Sequence, residues 1–240
     1  MTAGSVAGMP RFDTPRFDAV LFDAGGVLVL PDPTVLIPLL VTFGGSTEVD
    51  DHRRAHYAAM AAKSRAGSGE RDWADYDVTY VTTVGVERDL AEHAADVLGL
   101  TRSHHLWRWP IPETAIATRA LAERGVPMGV VSNAFGQVEA ELRRAAICQT
   151  GPGDGTEMRV VIDSHVVGVA KPDPRIFGFA LPHFAEFDPQ RIAYVGDSVT
   201  MDVGASRAAG LHPLLLDPYD DHAGAEFERI SSVDEVVGWC

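Results

Sequence analysis

The chain has 240 residues, which suits one large α/β domain or a core domain with a smaller insert. With 46% hydrophobic and 22% charged residues it has the composition of a packed globular protein; a net charge of −14, from 20 basic and 34 acidic side chains, argues against nucleic acid or an anionic membrane as partner. An anionic substrate is repelled too, unless a cation or local basic side chains reverse the field where it binds.

The first residues, MTAGSVAGMPRFDTPR, contain no apolar run of signal-peptide length, and 1–15 read as a flexible N-terminus. Residues 17–22, FDAVLF, form the apolar run of a buried parallel strand. VLIPLLVTF, just beyond, is too short to span a bilayer and contains Pro38. From residue 31 to 112 helical spacing dominates, as in Val35, Leu36, Leu39 and Leu40, and again in Leu90, Ala94, Val97 and Leu98. YDVTYVTTVGV (76–86) is the one good strand candidate there, and SRAGSGERDW (64–73) reads as a loop.

After Pro112 the pattern alternates. Helices are expected over 113–124, 136–146, 174–184 (broken at Pro182) and 199–210, and strands over 126–132, 158–163, 191–197 and 212–217. Such alternation predicts a doubly wound parallel sheet. The expected organisation is a core of 16–30 and 113–240 with a helical cap inserted at 31–112. CQTGPGDGTEMR (148–159) reads as a Gly-rich surface loop. Two cysteines, Cys148 and Cys240, make no disulfide framework, so a reducing, cytoplasmic setting is expected.

In open parallel sheets ligands bind beyond the strand C-termini. Asp23 ends the first strand, and Ser132 and Asn133 end the second. Asp197 ends YVGD, with Asp202 following in GDSVTMD. Lys171, one of only two lysines in the chain, stands in AKPDP before a helix that a proline helps to start. Singly, each has an ordinary reading as a turn former, helix cap or solvated charge. In this order, each at a strand end or helix start, they point to one pocket the size of a phosphate.

FDAGGVL, VVSNA, AKPDPRIF and GDSVTMD resemble, in sequence order, the four motifs of the haloacid dehalogenase superfamily. The stretch between the first two is similar to the helical C1 cap of its phosphoglycolate phosphatase and dehalogenase-like branch. The resemblance implies a Rossmann-like core and a hydrolase. It implies Asp23 as nucleophile through an aspartyl-phosphate, and Mg²⁺ held by Asp23, Asp197 and the Gly25 carbonyl, with Asp202 bracing the site or its metal-bound water. Ser132 and the Asn133 backbone would bind phosphoryl oxygens, and Lys171 would stabilise both Asp23 and the developing charge. A small phosphorylated metabolite is the implied substrate, acted on by a monomer or homodimer.

The chain departs from that pattern at Gly25. Phosphatases of this kind usually have a second Asp there, as proton donor to the leaving alcohol. Glycine keeps the carbonyl and loses the acid, and acid–base help is worth roughly 10²–10⁴-fold. Turnover is therefore expected to favour leaving groups that need no proton, and Gly25→Asp to raise the rate on alkyl phosphates. Asp32 is a candidate substitute. Alternatives are a metal-independent 2-haloacid dehalogenase, a phosphonatase-type enzyme using Lys63, and a non-catalytic binding module. Lys63 and the cap arginines Arg53, Arg54, Arg65 and Arg71 otherwise read as solvated charges; Trp73, Trp107 and Trp109 read as packing. Asp163-Ser164-His165 is no triad, and His104-His105, placed on a helix, make a poor metal pair.

Overall fold

The computed structural model describes residues 15–103 and 105–240. In chain order the elements are β1 (Ala19–Phe22), β2 (Val29–Pro31), α1 (Pro33–Leu40), α2 (Val49–Arg65), α3 (Ala74–Thr83) and α4 (Ala91–Leu100), then β3 (Trp107–Pro110), α5 (Pro112–Glu123), β4 (Met128–Ser132) and α6 (Val138–Arg144). They continue with β5 (Cys148–Thr150), β6 (Thr156–Met158), β7 (Val161–Asp163), α7 (Ser164–Val167), β8 (Ile192–Gly196), α8 (Gly204–Ala208), β9 (His212–Leu216), β10 (Arg229–Ile230) and α9 (Asp234–Val237). Six strands form one parallel sheet in the order β10-β9-β8-β1-β4-β7.

The central strands β1, β4 and β8 are buried along their whole length and carry no charged side chain, as expected where both faces of a parallel sheet are covered. Along β1 the side chains alternate: Val20 and Phe22 pack with Ala117 and Leu121 of α5 and Val236 of α9. Ala19 and Leu21 pack on the opposite face with Phe177, Phe184 and Ala205. Central β1 pairs with β4 on one side and β8 on the other. The chain thus reverses its winding at β1, and the crevice beyond its carboxyl end is where such sheets bind ligands.

Helices α1 to α4 build a separate apolar core around Leu36, Leu40, Ala59, Tyr76, Tyr80 and Leu98. An antiparallel ribbon of β2 and β3 carries the chain into and out of these helices. Asp32 starts α1 as its N-cap, accepting hydrogen bonds from the Thr34 amide (2.8 Å) and hydroxyl (2.7 Å).

Several expectations change. Residues 76–86 are not a strand: most of the stretch lies in α3, because Tyr76, Tyr80, Val81 and Val84 bury one helical face in the core of the four helices. Packing on that face overrides the β-propensity of its tyrosines, valines and threonines. The strand expected at 158–163 is split between β6 and β7. The helix expected at 174–184 is two 3-10 turns, Pro174–Phe179 and Leu181–Phe184, since prolines open both. The Gly-rich loop is shorter than expected, because its flanks pair as β5 and β6 with Cys148 and Gln149 buried.

Candidate active site

Asp23 follows β1 directly, and its amide donates to Val195 O at 2.8 Å. The carboxylate is anchored by the Ala24 amide, which donates to Oδ1 at 2.7 Å. Ser132 ends β4 and Asp197 follows β8, so three adjacent strands deliver these groups to one edge of the sheet. Lys171 arrives from the connection after α7, its peptide bond to Pro172 being cis. Its ammonium bridges Asp23 Oδ2 at 2.9 Å and Asp202 Oδ1 at 2.7 Å, and donates to the Tyr194 hydroxyl at 2.8 Å. The Tyr194 hydroxyl in turn donates a hydrogen bond to Val131 O at 2.9 Å. Asp202 Oδ2 accepts from the Ser198 amide at 2.9 Å. Asn133 is fixed by a reciprocal pair: Nδ2 donates to Lys171 O (2.9 Å) and Oδ1 accepts from Lys171 N (2.8 Å).

The charge balance is tight. Burial is the largest influence on Asp23 and raises its pKa; Lys171 lowers it, and Asp202 and Asp197 raise it again, leaving it at about 7. Burial opposes the charge on Lys171, but Asp202 and Asp23 outweigh it and hold the ammonium above the usual lysine range. Carboxylate oxygens of Asp23, Asp197 and Asp202 lie within 4.8 Å of one another. Asp197 Oδ1 makes no hydrogen bond among the described residues. Clustered anionic oxygens with a free lone pair fit a hard divalent cation such as Mg²⁺.

One residue at the site gave no signal in the sequence. His56, on α2 and fully buried, sets Nε2 2.9 Å from Asp197 Oδ2 and Nδ1 2.9 Å from the Tyr76 hydroxyl. Its helical spacing with Tyr57 and Met60 reads as packing; only the docking of the helices on the sheet edge brings it to Asp197. Gly26 was likewise overlooked beside Gly25. It has φ +71°, and a Cβ there would lie 1.9 Å from Asp197 Oδ2, so glycine is required. Tyr57 closes this turn by donating to Gly26 O at 2.8 Å.

The sheet edge and the helices enclose a cavity of about 650 Å³ lined by Asp23, Ser132, Asn133, Lys171 and Asp197 on one side and Lys63, Glu70, Trp73 and Trp107 on the other. Trp73 and Trp107 therefore face the cavity as well as the core of helices α1–α4, while Trp109 packs against the sheet core. Lys63 is buried rather than solvated, donating to Gly69 O at 2.5 Å and to Asp72 O. Burial lowers its pKa below the ordinary lysine value, opposed by Glu70 and Asp72.

Asp32 does not reach the cavity: besides capping α1 it accepts from Arg108 Nε at 2.7 Å. Arg53 pairs with Glu113, and Arg54 pairs with Asp221; Arg65 and Arg71 are exposed, Arg71 at the cavity rim. Asp163 caps α7, accepting from the His165 amide at 2.9 Å. His104 lies outside the described residues, and His105 sits in a turn after α4 rather than on a helix.

A six-stranded parallel sheet with a carboxylate, a serine and a lysine gathered at the C-terminal ends of its strands defines an α/β enzyme of Rossmann-like architecture. A family model for haloacid dehalogenase-like hydrolases matches residues 17–210, and the chain belongs to that family. It is 38% identical over 109 residues to haloacid dehalogenase-like hydrolase domain-containing protein 3 of Bos taurus, covering 45% of this chain and 40% of that one. It is 31% identical over 134 residues to a phosphoserine phosphatase of Thermus thermophilus, covering 54% of this chain and 51% of that one. The chain thus spans about half, or less, of the length of these relatives. The fold is similar to that of a HAD phosphatase from Thermococcus onnurineus, with TM-score 0.56 and 20% identity over 91% of this chain and 95% of that one.

Proposed function

We propose that the protein is a Mg²⁺-dependent phosphatase that hydrolyses a small phosphorylated metabolite through an aspartyl-phosphate on Asp23. The observation that carries this reading is the gathering of Asp23, Asp197 and Asp202 within 4.8 Å around a lysine already bonded to two of them. Displacement of halide from carbon needs one carboxylate and no cation. Three carboxylates packed this closely repel each other strongly, an arrangement that a divalent ion and a phosphoryl group together explain. The phosphoserine phosphatase relative supports the same class of substrate.

In this reading Asp23 attacks phosphorus through Oδ2, the oxygen paired with Lys171, while the Ala24 amide anchors Oδ1. Ser132 and the Asn133 backbone hold phosphoryl oxygens, and Lys171 offsets negative charge on the phosphoryl group and on Asp23. Asp23, Asp197, Asp202 and the Gly25 carbonyl would hold the Mg²⁺, which supplies charge neutralisation when bound. Helices α1–α4, as part of a cap spanning 31–112, would shield the reaction from water and contact the rest of the substrate. A soluble, cytoplasmic protein suits such a substrate; among the described residues no helix is long and apolar enough to cross a membrane.

The test is phosphate release from a metabolite panel with and without Mg²⁺, alongside halide release from 2-haloacids. The expected result is metal-dependent phosphate release that falls by about 10⁴-fold or more in Asp23→Asn. Chelator-resistant halide release would establish the dehalogenase instead, and ligand-induced stabilisation without turnover a binding module.

A further inference from the structure

Position 25 lacks an acid, and the space for one is tight. A Cβ there would lie 3.2 Å from both Cε3 and Cζ3 of Trp107. In phosphoryl transfer the attacking and leaving oxygens are roughly in line. With Asp23 attacking from the sheet edge, the leaving oxygen departs on the opposite side, toward the helices. A group that protonates it belongs there.

On that side of the cavity the described titratable groups are Lys63, Glu70, Arg71 and Arg102. The Lys63 ammonium is spent on the carbonyls of Gly69 and Asp72, and Arg102 on Asp77. Neither guanidinium gives up a proton near neutral pH. Glu141 and His165 line the cavity from the core side, where Glu141 is held between two basic side chains, Arg144 at 2.5 Å and His105 at 3.5 Å. Glu70 differs from all of these. It stands on the loop between α2 and α3, and its Oε2 accepts from Asn133 Nδ2 at 2.7 Å. Its Oε1 has no hydrogen-bond partner among the described residues. Asn133 adjoins Ser132 and is locked to Lys171, so Glu70 is docked against the groups proposed to hold the phosphoryl oxygens.

We propose that Glu70 performs the proton transfers that Gly25 cannot, as acid toward the leaving oxygen and then as base toward water. The assignment rests on the phosphatase reading. In the first half-reaction the Asp23 Oδ–P bond forms, the P–O bond to the leaving group breaks, and the proton on Glu70 passes to the departing oxygen. In the second, the Glu70 carboxylate takes a proton from water as that oxygen attacks phosphorus. The P–O bond to Asp23 breaks, releasing inorganic phosphate and restoring both carboxyl groups. The surroundings suit a donor: burial is the largest influence and raises the Glu70 pKa. The Asn133 hydrogen bond, Lys171 and Lys63 oppose burial, Asp202 reinforces it, and the pKa stays above that of an ordinary glutamate.

Glu70→Gln tests this, because Gln keeps an acceptor for Asn133 and loses only the proton chemistry. The substrates are glycerol 2-phosphate, whose alkoxide needs a proton, 4-nitrophenyl phosphate, whose phenolate needs none, and acetyl phosphate. In the variant, kcat/KM on glycerol 2-phosphate should fall about 10²–10⁴-fold and on 4-nitrophenyl phosphate by less than about tenfold. Acid-quenched phosphoenzyme should accumulate from acetyl phosphate, since the water step has lost its base. Equal losses on both esters, or no loss on either, would overturn the proposal. So would a wild-type rate that already drops steeply with leaving-group pKa, a measurement that needs no variant. Wild-type turnover abolished by Asp23→Asn, together with a null result for Glu70→Gln, rejects Glu70 alone; no wild-type phosphate release rejects the phosphatase reading itself.

Discussion

Gly25 and Gly26 look interchangeable in VLFDAGGVL, yet they answer to different constraints. Gly26 has positive φ and faces Asp197, so any side chain there collides with a proposed metal ligand. Gly25 has ordinary backbone geometry and faces the Trp107 ring, with a Cβ at the tight limit of contact. Sequence reasoning expects Gly25→Asp to restore an acid and raise turnover on alkyl phosphates. With Trp107 in place, the added carboxyl must push the indole aside. The revised expectation is overpacking of roughly 1–3 kcal/mol, seen as a lower denaturation midpoint, with no gain in rate. Faster turnover at unchanged stability would show that Trp107 yields freely. Asp23, Ser132 and Asp197 were legible because they sit at strand ends, where a parallel sheet places polar groups whatever surrounds them; Lys171, on a connection, and Asp202, in a helical turn, were legible only through the motifs AKPDP and GDSVTMD that carry them. His56 and Glu70 were not, because a histidine on a helix and a glutamate in a loop carry no local mark of the partner they meet across the fold.

At the level of elements, α1 shows how one side chain joins two of them. Asp32 caps the helix through Thr34 and pairs with Arg108 on β3. Burial alone raises its pKa, but hydrogen bonds from Thr34 and Arg108 outweigh it, and the carboxyl is held below the usual aspartate value. A depressed folded pKa means stability that is fully present above the unfolded value near 4 and lost as pH falls through the folded value. Asp32→Asn should therefore cost on the order of 1 kcal/mol at pH 7, with the difference from wild type shrinking below about pH 4. Because Asp32 lies away from the cavity, kcat should not change; a rate loss without a stability loss would return it to candidacy as the missing acid. The strand expected over 76–86 teaches the same lesson. Its β-branched residues favour a strand locally, and only the neighbouring helices reward the spacing of Tyr76 and Tyr80.

For the whole molecule, the proposed function depends on how the helical layer sits on the sheet edge. The contact is polar as well as apolar: Arg54 on α2 grips Asp221 through two bonds of 2.7 and 2.6 Å and stacks on Tyr219 at 4.9 Å. Arg54 is 37% exposed, so solvent screens the pair. A double-mutant cycle of Arg54→Ala and Asp221→Ala, followed by chemical denaturation, should give a coupling of ~1 kcal/mol or less that shrinks as salt is added. A larger, salt-independent coupling would mean that this pair is the main tie between the layers. By itself the sequence determined the doubly wound sheet, the order of its strands' polar termini and the family, because period and strand-end chemistry are local properties of a chain. Tertiary structure decided which groups face Asp23 across the cavity. Those contacts join residues 56 and 70 to residues 197 and 133 and depend on packing angles between layers, which no spacing along the chain encodes.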